Sequence, residues 1–225
     1  MPQKHYNYQH FNPKDYNFKK FDGPKAGMPF YDFEATTLEG EKVKLSKYLD
    51  KPIVLETGSI TCPMYANTTK AMNQLQDQYP DVHFLLLYIR EAHPGAKTTA
   101  TTTMEQKQSN AASSHQLYHE KRTILVDSVD GYAHKLYGSM PNMTYVIGAN
   151  GIVKFRANWT DINVLKEVLK TVHDDSIVTK DFYKITKPSP YTAIRTLLIG
   201  GFSALVEFIT SLPQLMRQHK EVINK

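Results

Sequence analysis

The sequence predicts an α/β domain of three layers with a central mixed sheet, because short strand-like segments alternate with helix-like segments along the chain. Residues 82–89 form an apolar run without alternation, which is typical of a strand buried on both faces. Residues 104–122 are rich in Glu, Gln, Lys and Ala, the composition of a helix. Asn150 and Gly151 separate two further strand-like runs and predict a hairpin, which makes the sheet mixed.

The predicted elements follow one another from residue 30 to residue 172. Pro63 suits the first turn of a helix, Gly138 a left-handed C-cap and Asp161 an N-cap. The predicted strands are 30–33, 43–45, 52–57, 82–89, 124–127, 144–148 and 152–156. The predicted helices are the single turn 46–49 and the segments 63–79, 104–122, 132–137 and 162–172.

Composition divides the chain into an N-terminal arm (1–27), the α/β domain (28–175), and a linker with an amphipathic helical tail (176–225). The arm is basic and aromatic, and we expect it to dock on the domain. Its aromatic residues are Tyr6, Tyr8, Phe11, Tyr16, Phe18 and Phe21. The tail carries an apolar stripe at steps of three and four residues. The stripe consists of Leu198, Phe202, Leu205, Ile209, Leu212 and Met216.

The apolar stripe of the tail suits burial against the domain or against a second copy of the chain in a homodimer. Peripheral contact with a membrane surface is an alternative, whereas Glu207 and Pro213 argue against a membrane span. The N-terminus lacks the continuous apolar core of a secretory signal. We therefore expect a cytoplasmic protein, with membrane association through the tail left open.

Charge and cysteine content exclude several classes of function. The chain has 225 residues, a formal net charge of +5 and one cysteine, which excludes an intramolecular disulfide and a multi-cysteine metal site. The basic residues form no long run and no nucleic-acid-binding motif, so no nucleic-acid partner is expected. His115 and His119 have the spacing of a metal pair, but no carboxylate motif accompanies them, and no metal is expected. His134 and His173 are expected at the surface.

The candidate nucleophile is Cys62, in the segment Gly-Ser-Ile-Thr-Cys-Pro at 58–63. It lies between a predicted strand and a predicted helix, where free N–H groups and the helix dipole favour the thiolate. Because the chain has no second cysteine, an oxidised Cys62 must be regenerated by an external thiol or by a second chain. No bound cofactor is expected.

Glu91 and His93 follow the next predicted strand at its carboxyl end. Ligands of open α/β sheets bind beyond the carboxyl ends of the strands. If the two strands are parallel neighbours, Cys62, Glu91 and His93 converge on one rim. His93 can then donate or accept a proton, and Glu91 can orient it or hold a polar group. Arg156 is a further candidate for the rim of the pocket.

Three segments resemble the iodothyronine deiodinase family, within the peroxiredoxin-like branch of the thioredoxin fold. Residues 58–63 resemble the active-site turn of that family, with Cys62 where the animal enzymes have selenocysteine. Residues 88–94, Tyr-Ile-Arg-Glu-Ala-His-Pro, resemble its Tyr-Ile-x-Glu-Ala-His segment. The third segment, which resembles its C-terminal half, consists of 126–130, 137–138 and 145–147.

The resemblance covers about residues 28–173 and implies a thioredoxin-like α/β/α fold. It also implies a substrate groove beside Met140 and Pro141. A proline before a strand, facing the active-site cysteine, is cis in most proteins of this fold, so a cis Met140–Pro141 bond is expected.

The leading functional hypothesis is reductive dehalogenation of an iodinated or otherwise halogenated aromatic, as the resemblance implies. The Cys62 thiolate would attack the halogen, and His93, or a water that it holds, would protonate the ring carbon. Ser59 and Thr61 would stabilise the thiolate by hydrogen bonding, and an external thiol reductant would restore the cysteine. One alternative is a one-cysteine peroxiredoxin-like peroxidase, although its usual Pro-x-x-x-Thr-x-x-Cys pattern is absent. The other is a non-catalytic binding module whose cysteine is incidental.

Overall fold

One mixed sheet forms the centre of the molecule. The computed structural model describes residues 6–17, 22–175, 181–182, 184 and 187–223, with side chains described up to residue 218. Within these residues seven strands pair in the order β2-β1-β5-β4-β3-β6-β7. The strands are β1 (Glu34–Thr37), β2 (Lys42–Lys44), β3 (Ile53–Gly58), β4 (His83–Tyr88), β5 (Thr123–Val126), β6 (Thr144–Ile147) and β7 (Val153–Ala157).

Helices cover the sheet and continue beyond it. They are α1 (Pro63–Gln78), α2 (Met104–Tyr118), α3 (Tyr132–Leu136), α4 (Ile162–Leu169), α5 (Pro190–Gly200) and α6 (Phe202–Ile223). Short 3-10 turns occur at Pro13–Asp15 and Leu45–Tyr48. No helix in the described part of the chain combines the length and the apolar character that crossing a bilayer requires.

The pairing of the strands confirms the predicted mixed sheet and brings two carboxyl ends together. Strand β3 lies parallel to β4 and antiparallel to β6, while β4 lies parallel to β5. Gly58, the last residue of β3, is opposite Tyr88, the last residue of β4. The segments that begin after these two residues therefore leave the sheet side by side.

Alternation along β3 assigns the covering elements to two faces of the sheet. Val54 packs with residues of α1 and α4 on one face. Ile53 and Leu55 belong to the cluster on the other face, which also contains residues of α3, the N-terminal arm and α6. The two ends of the chain therefore meet over the same face.

Three predicted boundaries were wrong. Residues 30–33 do not form a strand. Their backbone makes isolated hydrogen bonds, from Phe30 N–H to the Gly151 carbonyl at 2.9 Å and from Leu45 N–H to the Phe33 carbonyl at 3.0 Å. The helix predicted at 104–122 ends at Tyr118, since His119 adopts a left-handed conformation. The tail is two helices, because Gly201 has a φ of +113° that interrupts the chain between them. The positions predicted for Phe18 and Phe21 lie outside the described residues.

Candidate active site

Cys62 lies at the turn between β3 and α1, as predicted. It is the N-cap residue of α1, and Pro63 occupies the first helical position. The side chain is buried, with 1% of the residue exposed. Its Sγ donates a long hydrogen bond to the Pro141 carbonyl at 3.7 Å. The Pro141 carbonyl, in the segment that the resemblance places beside a substrate groove, is therefore a polar neighbour of the thiol.

The prediction that this position favours the thiolate was wrong for the structure as it stands. Burial raises the pKa of the Cys62 thiol to about 12, and the carboxylates of Glu56 and Glu91 act in the same direction. The backbone N–H groups of Met64 and Tyr65, at the start of the helix, lower this pKa but do not outweigh burial. In this arrangement Cys62 is therefore a protonated thiol near neutral pH.

Ser59, Thr61 and Glu91 hold the Cys62 turn against the loop that follows β4. Glu91 Oε2 accepts from Thr61 Oγ1 at 2.7 Å and from Thr61 N–H at 3.3 Å. Ser59 Oγ accepts from Ala92 N–H at 3.1 Å, and Thr61 Oγ1 accepts from His93 N–H at 3.2 Å. These hydroxyls bind the neighbouring loop rather than the sulfur, so the predicted hydrogen bonds to the thiolate are not present in this arrangement.

Glu91 is buried and does not orient the ring of His93, contrary to one of its predicted roles. Its other oxygen accepts from Tyr88 Oη at 2.6 Å and from Asn110 Nδ2 at 3.2 Å. Burial raises the pKa of Glu91, although these hydrogen bonds oppose the rise. The carboxyl group is the centre of a polar chain that reaches the residue next to Cys62.

His93 lies on the loop beside Thr61, as the parallel pairing of β3 and β4 requires, but its ring is covered. The Phe11 ring lies 4.3 Å from the imidazole centroid and the Phe208 ring lies 5.2 Å from it. Burial lowers the pKa of His93 to about 3, so the imidazole is neutral at physiological pH. Its Nδ1 is buried without a hydrogen-bond partner among the described residues.

Met140 and Pro141 approach the cysteine turn from the segment before β6. The peptide bond between them is trans, so the predicted cis bond was wrong. The Met140 carbonyl accepts from Thr57 Oγ1 at 3.2 Å and is 2.8 Å from His134 Nε2. These bonds hold the backbone of the segment, which leaves the Pro141 carbonyl facing the sulfur.

Arg156 binds other parts of the chain instead of forming the pocket rim. It is buried on β7, and Nη2 is 2.5 Å from a carboxylate oxygen of Asp181. Its Nη1 donates to the Gly23 carbonyl at 3.0 Å. The guanidinium therefore ties the segments around residues 23 and 181 to the edge of the sheet.

A buried ionic network next to the site was not predicted. Arg122 binds Glu56 through Nη1 at 2.5 Å and Glu120 through Nη2 at 2.6 Å, and all three side chains are buried. Burial alone would lower the pKa of Arg122 and raise that of Glu120. The pairing outweighs burial, so the pKa of Arg122 is raised and that of Glu120 is lowered. The signal in the sequence is Glu56, a carboxylate inside an otherwise apolar strand.

The remaining histidines differ in burial. His134, predicted at the surface, is fully buried because Tyr6 of the arm covers it, with Tyr6 Oη 2.7 Å from His134 Nδ1. His173 is half exposed and pairs with Asp81 at 2.7 Å. His115 and His119 are exposed, and no cluster of metal-ligating side chains occurs among the described residues.

The two ends of the chain cover the site together. Glu207 of α6 lies 2.6 Å from His10 Nδ1 and accepts from Phe11 N–H at 3.1 Å, so the arm and α6 are joined. The α5–α6 junction is also fixed to the loop after His93, since Lys97 N–H donates to the Gly200 carbonyl at 2.9 Å. The arm is docked on the domain, as expected, for its described residues. Helix α6 packs through Phe208 and Leu215, whereas most of the predicted stripe is exposed, with Phe202 at 71% and Met216 at 56%, so the stripe is not what the domain buries.

The fold is shared with solved structures of low sequence identity. The thioredoxin domain of a thiol-disulfide oxidoreductase from Bacteroides vulgatus superposes with a TM-score of 0.52 at 10% identity, covering 66% of this chain and 98% of that one. Peroxidoxin BcpB from Mycobacterium tuberculosis gives a TM-score of 0.51 at 16% identity, with 66% and 96% covered. A thioredoxin-like protein from Aeropyrum pernix gives 0.51 at 16%, with 63% and 89% covered. These similarities show the thioredoxin-like fold.

Sequence comparison identifies the family. A type II iodothyronine deiodinase from Fundulus heteroclitus is 34% identical over 76 residues, which covers 32% of this chain and 29% of that protein. The match therefore spans less than a third of that relative's length. The profile of the family described as iodothyronine deiodinase matches residues 14–172, from within the arm to the end of the α/β domain. On this match, the chain belongs to the iodothyronine deiodinase family.

Proposed function

We propose that this protein is a thiol-dependent oxidoreductase that reductively removes halogen, iodine above all, from an aromatic substrate. The observation that carries the proposal is the position of Cys62, the single cysteine, at the N-terminus of α1 in a family-type turn. The family match supports iodine as the halogen. The buried Glu91–Thr61 pair next to the cysteine supports the proposal as well, because it can supply the proton that the reaction needs.

The proposed reaction is a two-electron reduction of the carbon–iodine bond. The Cys62 thiolate attacks iodine, so that a sulfur–iodine bond forms while the carbon–iodine electron pair remains on the ring carbon. A proton then converts this carbon to C–H. One external thiol displaces iodide to give a mixed disulfide, and a second releases Cys62 as the thiol. Overall, the substrate and two thiols yield the reduced ring, one disulfide, iodide and a proton.

We assign delivery of the proton to Glu91 acting through Thr61. Burial raises the pKa of Glu91, and its Oε2 is 2.7 Å from the hydroxyl of Thr61, which precedes Cys62 in the chain. His93 is not protonated to imidazolium at neutral pH in this structure, because burial lowers its pKa to about 3, so it has no such proton to deliver. Its unpartnered Nδ1 instead suits hydrogen bonding to a hydroxyl group of the substrate.

Activity requires the N-terminal arm, which covers the site together with α6, to move away. In the closed arrangement Cys62 is 1% exposed and its pKa is raised to about 12, so little thiolate is present at neutral pH. Displacement of the arm would admit the substrate and water together, which removes the desolvation that raises the pKa. The helix N-terminus would then favour the thiolate, as expected for this position.

The experiment is iodide release from iodophenols and iodothyronines with excess dithiothreitol, for the wild type beside Cys62→Ser. We expect release that requires Cys62 and that falls in Glu91→Gln, since the amide cannot supply the proton. His173→Gln is the matched control, because His173 is half exposed and distant in sequence from the site. Release that is equal in the wild type and in Cys62→Ser would refute the proposal.

A parallel assay with hydrogen peroxide and an organic peroxide tests the peroxidase alternative. A peroxidase needs a guanidinium that is free to polarise the peroxide beside the thiolate. Arg122, which lies in the network next to the site, instead has Nε, Nη1 and Nη2 bound to Glu56 and Glu120. Cys62-dependent peroxide consumption without iodide release would replace the dehalogenase proposal.

A further inference from the structure

Arg90 is a buried cation that the proposed reaction does not use. It follows β4, one residue before Glu91, and only 8% of the residue is exposed. Three phenol rings of the arm surround its guanidinium, with centroids at 4.7 Å for Tyr8, 5.0 Å for Tyr6 and 5.2 Å for Tyr16. Among the described residues Arg90 forms no ion pair. Its Nη1 donates to the Tyr6 carbonyl at 2.5 Å, while its Nε is buried without a hydrogen-bond partner among those residues.

A second polar atom under the arm is also buried without a hydrogen-bond partner in the described part of the chain. The Nδ1 of His93, three residues after Arg90, is also buried without a partner among the described residues. The Phe11 ring covers it at a centroid distance of 4.3 Å. The arm therefore supplies aromatic rings to this region but leaves two hydrogen-bonding atoms unsatisfied. Unsatisfied buried polar atoms of this kind cost free energy and are often completed by a ligand.

We propose that Arg90 is the recognition residue for the acidic group of an aromatic ligand, in a site that arm residues 6–16 occupy in this structure. The rings of Tyr6, Tyr8 and Tyr16 stand where rings of the ligand would lie. The ligand has an anionic oxygen, either a carboxylate or an ionised phenol, which pairs with the guanidinium through charge-assisted hydrogen bonds. The inference rests on the proposed function, since the ligand is the substrate of Cys62.

The arm has the properties of an occupant that a ligand can displace. Its contacts with the domain are aromatic stacking and isolated hydrogen bonds, such as the bond from Tyr8 Oη to the Ala92 carbonyl at 2.8 Å. Its connection to α6 consists of two hydrogen bonds to Glu207, from Phe11 N–H and with the exposed His10, and the contact of the Phe11 and Phe208 rings. The arm offers Arg90 ring faces and neutral acceptors, such as the Tyr6 carbonyl that Nη1 binds, whereas an anionic oxygen offers full charge. A ligand with an acidic group therefore competes favourably with the arm for the cation.

Binding is tested in the Cys62→Ser background, so that no turnover consumes the probe. The probe is diiodohydroxyphenylpropanoate, which carries a carboxylate and a phenol, beside its methyl ester, which keeps only the phenol. Calorimetry gives Kd, and amide hydrogen exchange of residues 6–17 reports displacement of the arm. We expect the acid to bind and to accelerate that exchange. If the ester binds equally well, the anionic group that Arg90 recognises is the ionised phenol; if it binds more weakly, the group is the carboxylate.

Arg90→Met removes the charge while keeping much of the apolar stem, and Arg217→Met is the matched exposed control. We expect Arg90→Met to weaken binding about tenfold or more and the control to leave Kd nearly unchanged. Arg90→Met also loosens the arm, so the comparison is repeated with Phe11→Ala, which removes an arm contact. Phe11→Ala alone should tighten binding, because a larger fraction of the protein is open.

Two results overturn the inference: the same Kd in Arg90→Met and in the control in both backgrounds, or binding of the acid without a change in arm exchange. These results are separable from failure of the proposed function. Cys62-dependent iodide release that does not depend on Arg90 would leave the dehalogenase standing and refute this site. Arg90-dependent binding without iodide release would support this site and refute the dehalogenase.

Discussion

Two opposing effects act on the Cys62 thiol: the helix N-terminus promotes its ionisation and burial suppresses it. The N-terminus of α1 favours the thiolate, but burial raises the pKa to about 12. Alkylation by iodoacetamide should therefore be slow near neutral pH and rise about tenfold per pH unit well beyond the range of an ordinary thiol. Phe11→Ala should increase the rate, and Cys62→Ser should give no labelling, since it has no other cysteine. A rate in the wild type that levels off near neutral pH would contradict this account.

Arg122 neutralises two buried carboxylates, and its removal should be costly. Arg122→Gln leaves Glu56 and Glu120 buried without the cation that both bind, and we expect a loss of about 3–5 kcal/mol in the free energy of unfolding by urea. Arg122 lowers the pKa of Glu120, so this stabilisation is present above the pKa of the unfolded carboxyl and is lost as pH falls through the folded value. The penalty in Arg122→Gln should therefore shrink in acid. A penalty no larger than that of Arg217→Gln would contradict the assignment.

At the scale of elements, the α5–α6 junction is pressed against the loop that carries His93. A Cβ at Gly200 would collide with the His93 carbonyl oxygen. Intrinsic helix propensity favours Ala over Gly by about 1 kcal/mol, but a collision with backbone cannot be relieved by a side-chain rotation. Gly200→Ala should therefore detach the tail and speed alkylation of Cys62. The control is Ile209→Ala, at a position that is 54% exposed. Equal rates in the two variants would show that the junction does not close the site.

Elements were predicted well where local signals and burial agree. The apolar run at 82–89 became the central strand β4, and the hairpin of β6 and β7 formed around Asn150 and Gly151. Residues 30–33 have strand composition, but their neighbours in space offer only isolated hydrogen bonds. Whether such a segment joins a sheet depends on the partner it meets, which local sequence does not specify.

At the scale of the whole molecule, closure of the arm should depend on pH. His93 lies under Phe11 and His134 under Tyr6, and burial is the main cause that lowers both pKa values, that of His93 to about 3. The folded state therefore binds fewer protons than the unfolded state between the folded and unfolded pKa values. Stability falls as pH drops through that range, by up to about 1.4 kcal/mol per pH unit for each histidine below about pH 6.5.

His93→Gln isolates this contribution from that of Glu91 and Asp127, whose raised pKa values act in the opposite direction. Between about pH 7.5 and pH 5.5 the wild type should lose stability relative to His93→Gln, with faster hydrogen exchange in the arm. His173→Gln, which removes a half-exposed imidazole, is the control substitution. A constant difference between the wild type and His93→Gln across this range would refute the effect.

Local sequence predicted the α/β order of elements, the mixed sheet and the position of Cys62 between β3 and α1, because these depend on periodicity, turn residues and one unique cysteine. The protonation states of the site residues, in contrast, could not be predicted without the three-dimensional structure. The protonation of Cys62 and His93 follows from burial, which depends on how segments distant in sequence pack around them. Desolvation is a sum over neighbours in space. For His93 these neighbours include Phe11 of the arm and Phe208 of α6, and for Cys62 they come from β4, β5, α1 and α2.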